Sequence, residues 1–369
     1  MADAPTSVLY LTSQADLSSG AQVGLLQLVT RLDRAKWAPQ VVVPAEGPFS
    51  EQCHCAGIPT HVLPLPNRWW WRRDGRAVVQ RLRALIRATR ATVLHANGAL
   101  AMRFAGWAAR REGCSAVWHV RTTDVPHWTD RVLARLATRI VVNAQLVARR
   151  FPQVSTNKLL CIYTGVDLDA YPESSYAKAD AVRRRLGVPL NVPMVLSMGP
   201  FRREQGFAQF FEAIERLAVE CPDVHWVMVG EGDERAALER RAQEFGLSDR
   251  LHFPGWVTDV ADTLAACDVF VLPSLQEGLG RVLIEAMTMR KPVVASCTGG
   301  VPEVVVPGET GVLVPPGDSA ALAQAIRNMV ANPDLAVYFG TKGRERVEAQ
   351  FTVTRHVEAV SHVYETLVA

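Results

Sequence analysis

The sequence predicts an α/β protein of two doubly wound domains, each built around a parallel sheet. Short β-branched runs alternate with amphipathic helical stretches, and the alternation falls into two blocks. A chain of 369 residues with 49% hydrophobic content can bury two ordinary cores. In the first block, strands are expected at Val8–Thr12, Val41–Pro44, Val62–Leu65, Val93–Asn97, Ala116–Arg121, Ile140–Asn143 and Leu160–Tyr163. Ala21, Leu25, Leu28, Val29 and Leu32 recur at helical spacing between the first two. In the second block, strands are expected at Met194–Met198, Trp226–Val229, Leu251–Phe253, Val269–Pro273, Pro292–Ser296 and Val312–Val314. Clustered Asp, Ser, Pro and charge mark Gly165–Leu190 as the connector, and Asp334–Ala369 has helical character. The expected domains are residues 1–170 and 171–350, followed by a helix over 351–369.

Composition narrows the function classes. The opening MADAPTSVLYLTSQ has no basic stretch and too short an apolar run for a secretory leader. No uncharged run approaches the roughly 18 apolar residues of a spanning helix. Seven scattered cysteines suit a reducing compartment, so a cytoplasmic location is expected. Cys53-His54-Cys55 has no second Cys/His pair at finger-like spacing, and no metal is expected there. Residues 1–165 carry 21 basic and 9 acidic side chains, against 19 and 28 in the remainder. A basic first half and an acidic second half suggest different partners for the two, with no nucleic acid among them. No G-x-G-x-x-G follows the first strand, which disfavours a nicotinamide dehydrogenase.

The most informative stretch is QEGLGRVLIEAM, Gln276 to Met287. It follows the strand-like VFVLPS and precedes PVVAS, so it forms a loop and helix between parallel strands. Such loops bind ligands in open α/β sheets, and the new helix offers free N–H groups and a positive dipole end to phosphate. Glu277 in the loop and Glu285 about two turns on can hold hydroxyls at two distances from that phosphate. A sugar joined to a nucleoside through a diphosphate has that layout. The same residues also fit a plain capping box, Ser274-x-x-Glu277, with Glu285 solvated.

The longer run CDVFVLPSLQEGLGRVLIEAM…PVVAS…GGVPEVV…GETGVLVPPGD closely resembles the C-terminal half of retaining, GT-B-type family 4 glycosyltransferases (glycosyl transferases group 1). The resemblance implies two facing Rossmann-like domains with the catalytic cleft between them, and a last helix crossing back to the first. It implies transfer of a sugar from a nucleotide-sugar to a glycan, lipid-linked or small-molecule acceptor, with retention and with no metal or other cofactor. Glu277 is then expected at the sugar and Glu285 at the ribose. The N–H groups around Leu279 and Gly280 are expected at the departing diphosphate.

In the loop GPFRREQGF the family usually carries two basic residues on the diphosphate; here Pro200 and Gln205 stand at those positions. Either Arg202 or Arg203 restores the charge, or both are solvated and the grip is lost. VMVGEGDER, with Gly230, and HFPGWV, with Val257, match the turns that line the family's base pocket. In the first half, Gly20 would let backbone approach a phosphate or sugar, although the family's glycine pair is Gly20-Ala21 here. In VWHVRTTDVP, Arg121 aligns with the family's acceptor-side histidine, and His119 lies two residues earlier on the same strand face. Both are catalytic candidates, as is Arg202, but a guanidinium cannot serve as a base at neutral pH. Asp167-Leu168-Asp169 looks like a metal-binding D-x-D, yet it falls in TGVDLDAYP, the family's interdomain segment, without a cation cage nearby. Trp69–Arg73 with the basic helix after it suits peripheral contact with the inner face of an anionic membrane, or a tryptophan loop and sheet-covering helix. Pro200 and Gln205 also admit a nucleotide-sugar-binding scaffold without turnover, and an epimerase of the same architecture is a third option.

Overall fold

The computed structural model describes residues 4–17, 19–67, 72–121 and 128–368. The chain divides into two compact units, Met1–Gly165 with Val353–Ala369, and Val166–Thr352. The first unit runs β1 (Thr6–Thr12), α1 (Gly20–Arg31), β2 (Trp37–Val43), α2 (Pro48–Cys55), β3 (Thr60–Val62), α3 (Arg73–Thr89), β4 (Val93–Asn97), α4 (Ala99–Glu112), β5 (Ser115–Val120), α5 (Trp128–Leu136), β6 (Arg139–Val142), α6 (Gln145–Ala148) and β7 (Leu159–Cys161). Its strands are parallel in the order β3-β2-β1-β4-β5-β6-β7. Helices cover both faces, which is why strands such as Val8–Leu11 are apolar without alternation. Prolines bear on two strands. Pro64 denies a donor to the expected Val62–Leu65 strand, and Pro66 follows directly, so β3 ends at Val62. β2 tolerates Pro39 because its pairing with β3 begins only at Val41.

The second unit runs α7 (Ala179–Leu186), β8 (Met194–Met198), α8 (Phe207–Glu220), β9 (His225–Val229), α9 (Arg235–Glu244), β10 (Leu251–Gly255), α10 (Val260–Ala266), β11 (Val269–Leu272), α11 (Arg281–Thr288), β12 (Val293–Ser296), α12 (Val301–Val304), β13 (Gly311–Val314), α13 (Ser319–Ala331) and α14 (Pro333–Gln350). Its parallel order is β10-β9-β8-β11-β12-β13. The helical tail breaks at Phe351-Thr352, where Val166 N–H donates to the Phe351 carbonyl at 2.8 Å. A last helix, α15 (Val353–Val368), then completes the first unit. Val353, Val357, Val360, Val363 and Tyr364 share one core with Val8, Tyr10, Leu25 and Trp37. Trp37 Nε1 donates to Ser361 Oγ at 2.8 Å.

The helix after the tryptophans uses its apolar side for packing. Val78, Val79, Leu82 and Ile86 of α3 are buried, and Arg83 and Arg87 both pair with Glu112 of α4. Trp69, Trp70 and Trp71 lie outside the described residues, while Arg72 and Arg73 are exposed. Among the described residues, no helix is long and apolar enough to cross a membrane. Cys53 is buried in the first core, where burial pushes its thiol up to about 12, whereas Cys55 is exposed. Asp167 caps a single 3₁₀ turn, its carboxylate accepting from Asp169 N–H at 3.3 Å.

Candidate active site

In the second sheet, chain order reverses between the adjacent strands β8 and β11. Loops leaving the carboxyl ends of strands at such a point diverge and leave a crevice, which is where open α/β sheets bind ligands. Here the two loops are joined by their backbones: Leu275 and Gln276 N–H donate to the Glu204 carbonyl at 2.8 and 3.1 Å. The loop after β12 closes on the same place. Gly300 N–H donates to the Gly278 carbonyl at 2.8 Å, and Thr298 Oγ1 to the Leu275 carbonyl at 3.0 Å. Gly299 sits at φ 56°, and a Cβ there would lie 1.7 Å from the Glu277 carbonyl oxygen. Three strand ends thus fix the backbone of Glu277.

The Glu277 side chain is held equally closely. Gly278 N–H donates to Oε1 at 3.0 Å and Ser274 Oγ to Oε2 at 3.3 Å, with the Gly280 N–H and the Gln205 amide also on the carboxylate. Burial pushes its pKa above the usual carboxylate range, and these donors only partly offset that. All four donors are neutral. Ser274 and Glu277 do not form a capping box, because α11 begins at Arg281 behind Gly280, which adopts φ 82° and makes no side-chain cap. Gly280 therefore offers no side chain to the first N–H groups of α11.

Glu285 lies one turn into α11. Arg281 Nε contacts its Oε1 at 2.8 Å, with the two side chains only 11% and 14% exposed. The Tyr171 hydroxyl also hydrogen-bonds Glu285; burial, then the Glu285 charge, raises that phenol above its ordinary range. Sequence reasoning missed both partners. The i,i+4 spacing of Arg281 and Glu285 was a readable signal, whereas Tyr171 stands 114 positions from Glu285 and had none.

The remaining donor-side candidates divide. Gln205 reaches Glu277, and Leu279 is buried beneath the loop. Arg202 and Arg203 are exposed, with no side-chain partner among the described residues. Gly230 serves backbone packing: at φ 146° its Cβ would stand 1.9 Å from the Gly199 carbonyl oxygen. Its N–H donates to the Gly255 carbonyl at 3.0 Å, which brings Gly230 beside the turn carrying half-exposed Trp256 and partly buried Val257.

In the first unit, Gly20 is the exposed first residue of α1, capped by Ser19, whose Oγ accepts from Gln22 N–H at 3.3 Å. Buried Gln22 reaches Thr12 Oγ1 at 2.6 Å, at the carboxyl end of β1. His119 is fully buried. Its Nδ1 is 3.2 Å from an Arg121 guanidinium nitrogen and 3.1 Å from His95 Nε2, and His95 Nδ1 lies 2.6 Å from the Tyr364 hydroxyl. A guanidinium only donates, so His119 Nδ1 accepts and its proton resides on Nε2. Burial, and then the Arg121 charge, hold His119 well below the ordinary histidine range. It is a neutral ring that props Arg121.

Comparison with known proteins gives a consistent result. Residues 178–346 match the family described as glycosyl transferases group 1, and residues 18–170 match glycosyltransferase family 4. Over 264 residues the chain is 31% identical to the alpha-maltose-1-phosphate synthase of Mycolicibacterium smegmatis, covering 67% of each protein. It is 36% identical over 187 residues to the lipopolysaccharide core biosynthesis glycosyltransferase LpsE of Rhizobium meliloti; that match takes in 51% of this chain and spans about half, 53%, of the relative. Among solved structures, Anabaena HepE in complex with UDP and glucose superposes with a TM-score of 0.83 at 24% identity, covering 97% of this chain and 99% of that one. The sucrose-phosphate synthase of Thermosynechococcus elongatus gives 0.78 at 25% identity, covering 98% and 99%. The two-domain, Rossmann-like GT-B fold follows from these likenesses and the two parallel sheets.

Proposed function

Because the chain belongs to the glycosyl transferases group 1 family, we propose that it moves a sugar from a nucleotide-sugar to a glycan, lipid-linked or small-molecule hydroxyl, with retention at the anomeric carbon. The observation that carries this reading is Glu277, fixed by three loops at the switch point beside the amino end of α11. In the proposed reaction the bond from the anomeric carbon to the diphosphate breaks, and its electron pair goes to the phosphate oxygen. The acceptor oxygen bonds to the same face, and its proton passes to the leaving phosphate. Glu277 stabilises the positive charge that develops at the sugar, and α11 N–H groups meet the negative charge on the diphosphate. Such a route needs no protein base, which agrees with a His119 whose accepting nitrogen is engaged by Arg121. Arg121 would then neutralise a phosphate or an acidic acceptor.

A uridine diphosphate sugar is the first donor to test, since the Anabaena neighbour was solved with UDP-glucose. A thermal-shift panel of nucleoside diphosphates and their sugars, followed by product detection, tests the assignment, because a bound donor raises the melting temperature by mass action. Transfer should continue at an unchanged rate in EDTA; loss of activity restored by a divalent cation would overturn metal independence. Glu285, proposed to hold the ribose, is oriented by Arg281. Arg281→Ala is expected to raise the donor KM roughly tenfold while kcat stays within about threefold; steady-state kinetics separate the two.

One observation favours a second reading. Pro200 and Gln205 bring no charge to the diphosphate, and Arg202 and Arg203 point into solvent. If the grip is lost, the protein binds donor without turning it over. Calorimetric donor binding without transfer to any acceptor in a cell extract would support that, and an unchanged donor affinity in Arg202→Ala/Arg203→Ala would remove both arginines from the diphosphate.

A further inference from the structure

The first unit contains a half-open concavity of about 940 Å³, lined by α5 and the segment that follows α6. Its cationic lining is Arg131, Arg135, Arg149, Arg150 and Lys158, and its one acidic lining residue is Asp130. That acid is already committed. Arg150 meets Asp130 through two hydrogen bonds of 2.7 and 2.8 Å, with the side chains 9% and 5% exposed. Phe151 anchors this floor, edge-on to Trp118 with ring centroids 5.2 Å apart. Arg131, Arg135, Arg149 and Lys158 have no carboxylate within salt-bridge distance among the described residues. Lys158 is partly buried, and burial with nearby Arg139 holds its ammonium below the usual lysine range. Trp128, 60% exposed, stands at the first turn of α5 in the same lining.

Four like charges converging on one concavity repel one another, and a bound anion relieves that repulsion. Guanidinium forks match phosphate oxygens two at a time. The volume, near the upper end of small-molecule sites, has room for more than inorganic phosphate. We propose that this pocket binds a phosphate ester, carried either by a soluble sugar phosphate or by a lipid headgroup. The site lies wholly in the first unit and does not depend on the donor reading.

The test uses the full chain and two probes, glucose 6-phosphate by calorimetry and phosphatidylglycerol vesicles by co-sedimentation, with phosphatidylcholine vesicles as control. Two non-overlapping variants, Arg135→Ala/Arg149→Ala and Arg131→Ala/Lys158→Ala, guard against a folding defect in either. Each pair should weaken binding of the responsive probe by roughly tenfold or more, and added salt should weaken the wild type toward the variants. Glu277→Gln should bind like the wild type, which separates this pocket from the donor site. A response to glucose 6-phosphate assigns a soluble ligand, and a response to anionic vesicles alone assigns a headgroup. Failure of both probes, or binding that neither variant pair alters, would overturn the proposal.

Discussion

Replacing Glu277 by alanine should lower kcat by roughly 10³-fold, comparable to removing a preorganised electrostatic group from an active site. The groups that surround its carboxylate are all hydrogen-bond donors, so none of them can take over its charge. Glu277→Gln keeps the shape and removes the charge, so it should be nearly as slow if charge is what matters. A glutamine variant with near-wild-type turnover, measured by product formation at saturating donor, would remove Glu277 from the chemistry. Stability should move the other way. Burial raises this carboxyl above its ordinary value of 4.5, so the folded protein holds the proton more tightly than the unfolded chain does. The group therefore favours folding most at low pH, and its contribution falls as pH rises past 4.5. Glu277→Gln lacks that slope, so its stability relative to the wild type should improve between pH 4.5 and neutrality, as followed by denaturant titration.

The second large effect is expected at Gly299. A Cβ would overlap the Glu277 carbonyl at 1.7 Å and its carbon at 2.7 Å, both rigid backbone atoms. The positive φ of 56° adds a conformational cost that a side chain cannot avoid. Gly299→Ala should therefore lose more than about 3 kcal/mol, the range reserved for severe steric and backbone conflicts. The urea midpoint reports the loss, and activity should fall even where the variant remains folded, because the displaced atoms are those of Glu277. Wild-type stability in this variant would mean that the β11 and β12 loops do not meet as described.

The sequence revealed the sheets because parallel strands covered on both faces must be apolar throughout. Among the described residues, thirteen strands overlap their expected positions; β2 starts at Trp37, before the expected Val41, and the early end of β3 traces to prolines that the sequence displays. Glu277 and Glu285 could be found because loop, helix and strand occur in order. Their partners could not. Gln205 reaches Glu277 across 72 positions and Tyr171 reaches Glu285 across 114, pairings made only by the sheet order. His119 read as a lone strand histidine, yet its surroundings come from β4 and α15, and Tyr364 is 245 positions away. The basic pocket was hidden for the same reason: Arg131 and Arg135 are one helical turn apart, but Arg149 and Lys158 join them only after folding.

The helix that completes the first core carries a temporal consequence. A ribosome makes β1 through β7 early, but Val360 and Tyr364, fully enclosed beside Tyr10, emerge only after the entire second unit has been made. Until then the nascent first unit exposes an apolar groove at its own centre. Its neighbour can finish folding first, reversing the usual order in which the amino-terminal part matures ahead of the carboxyl-terminal one.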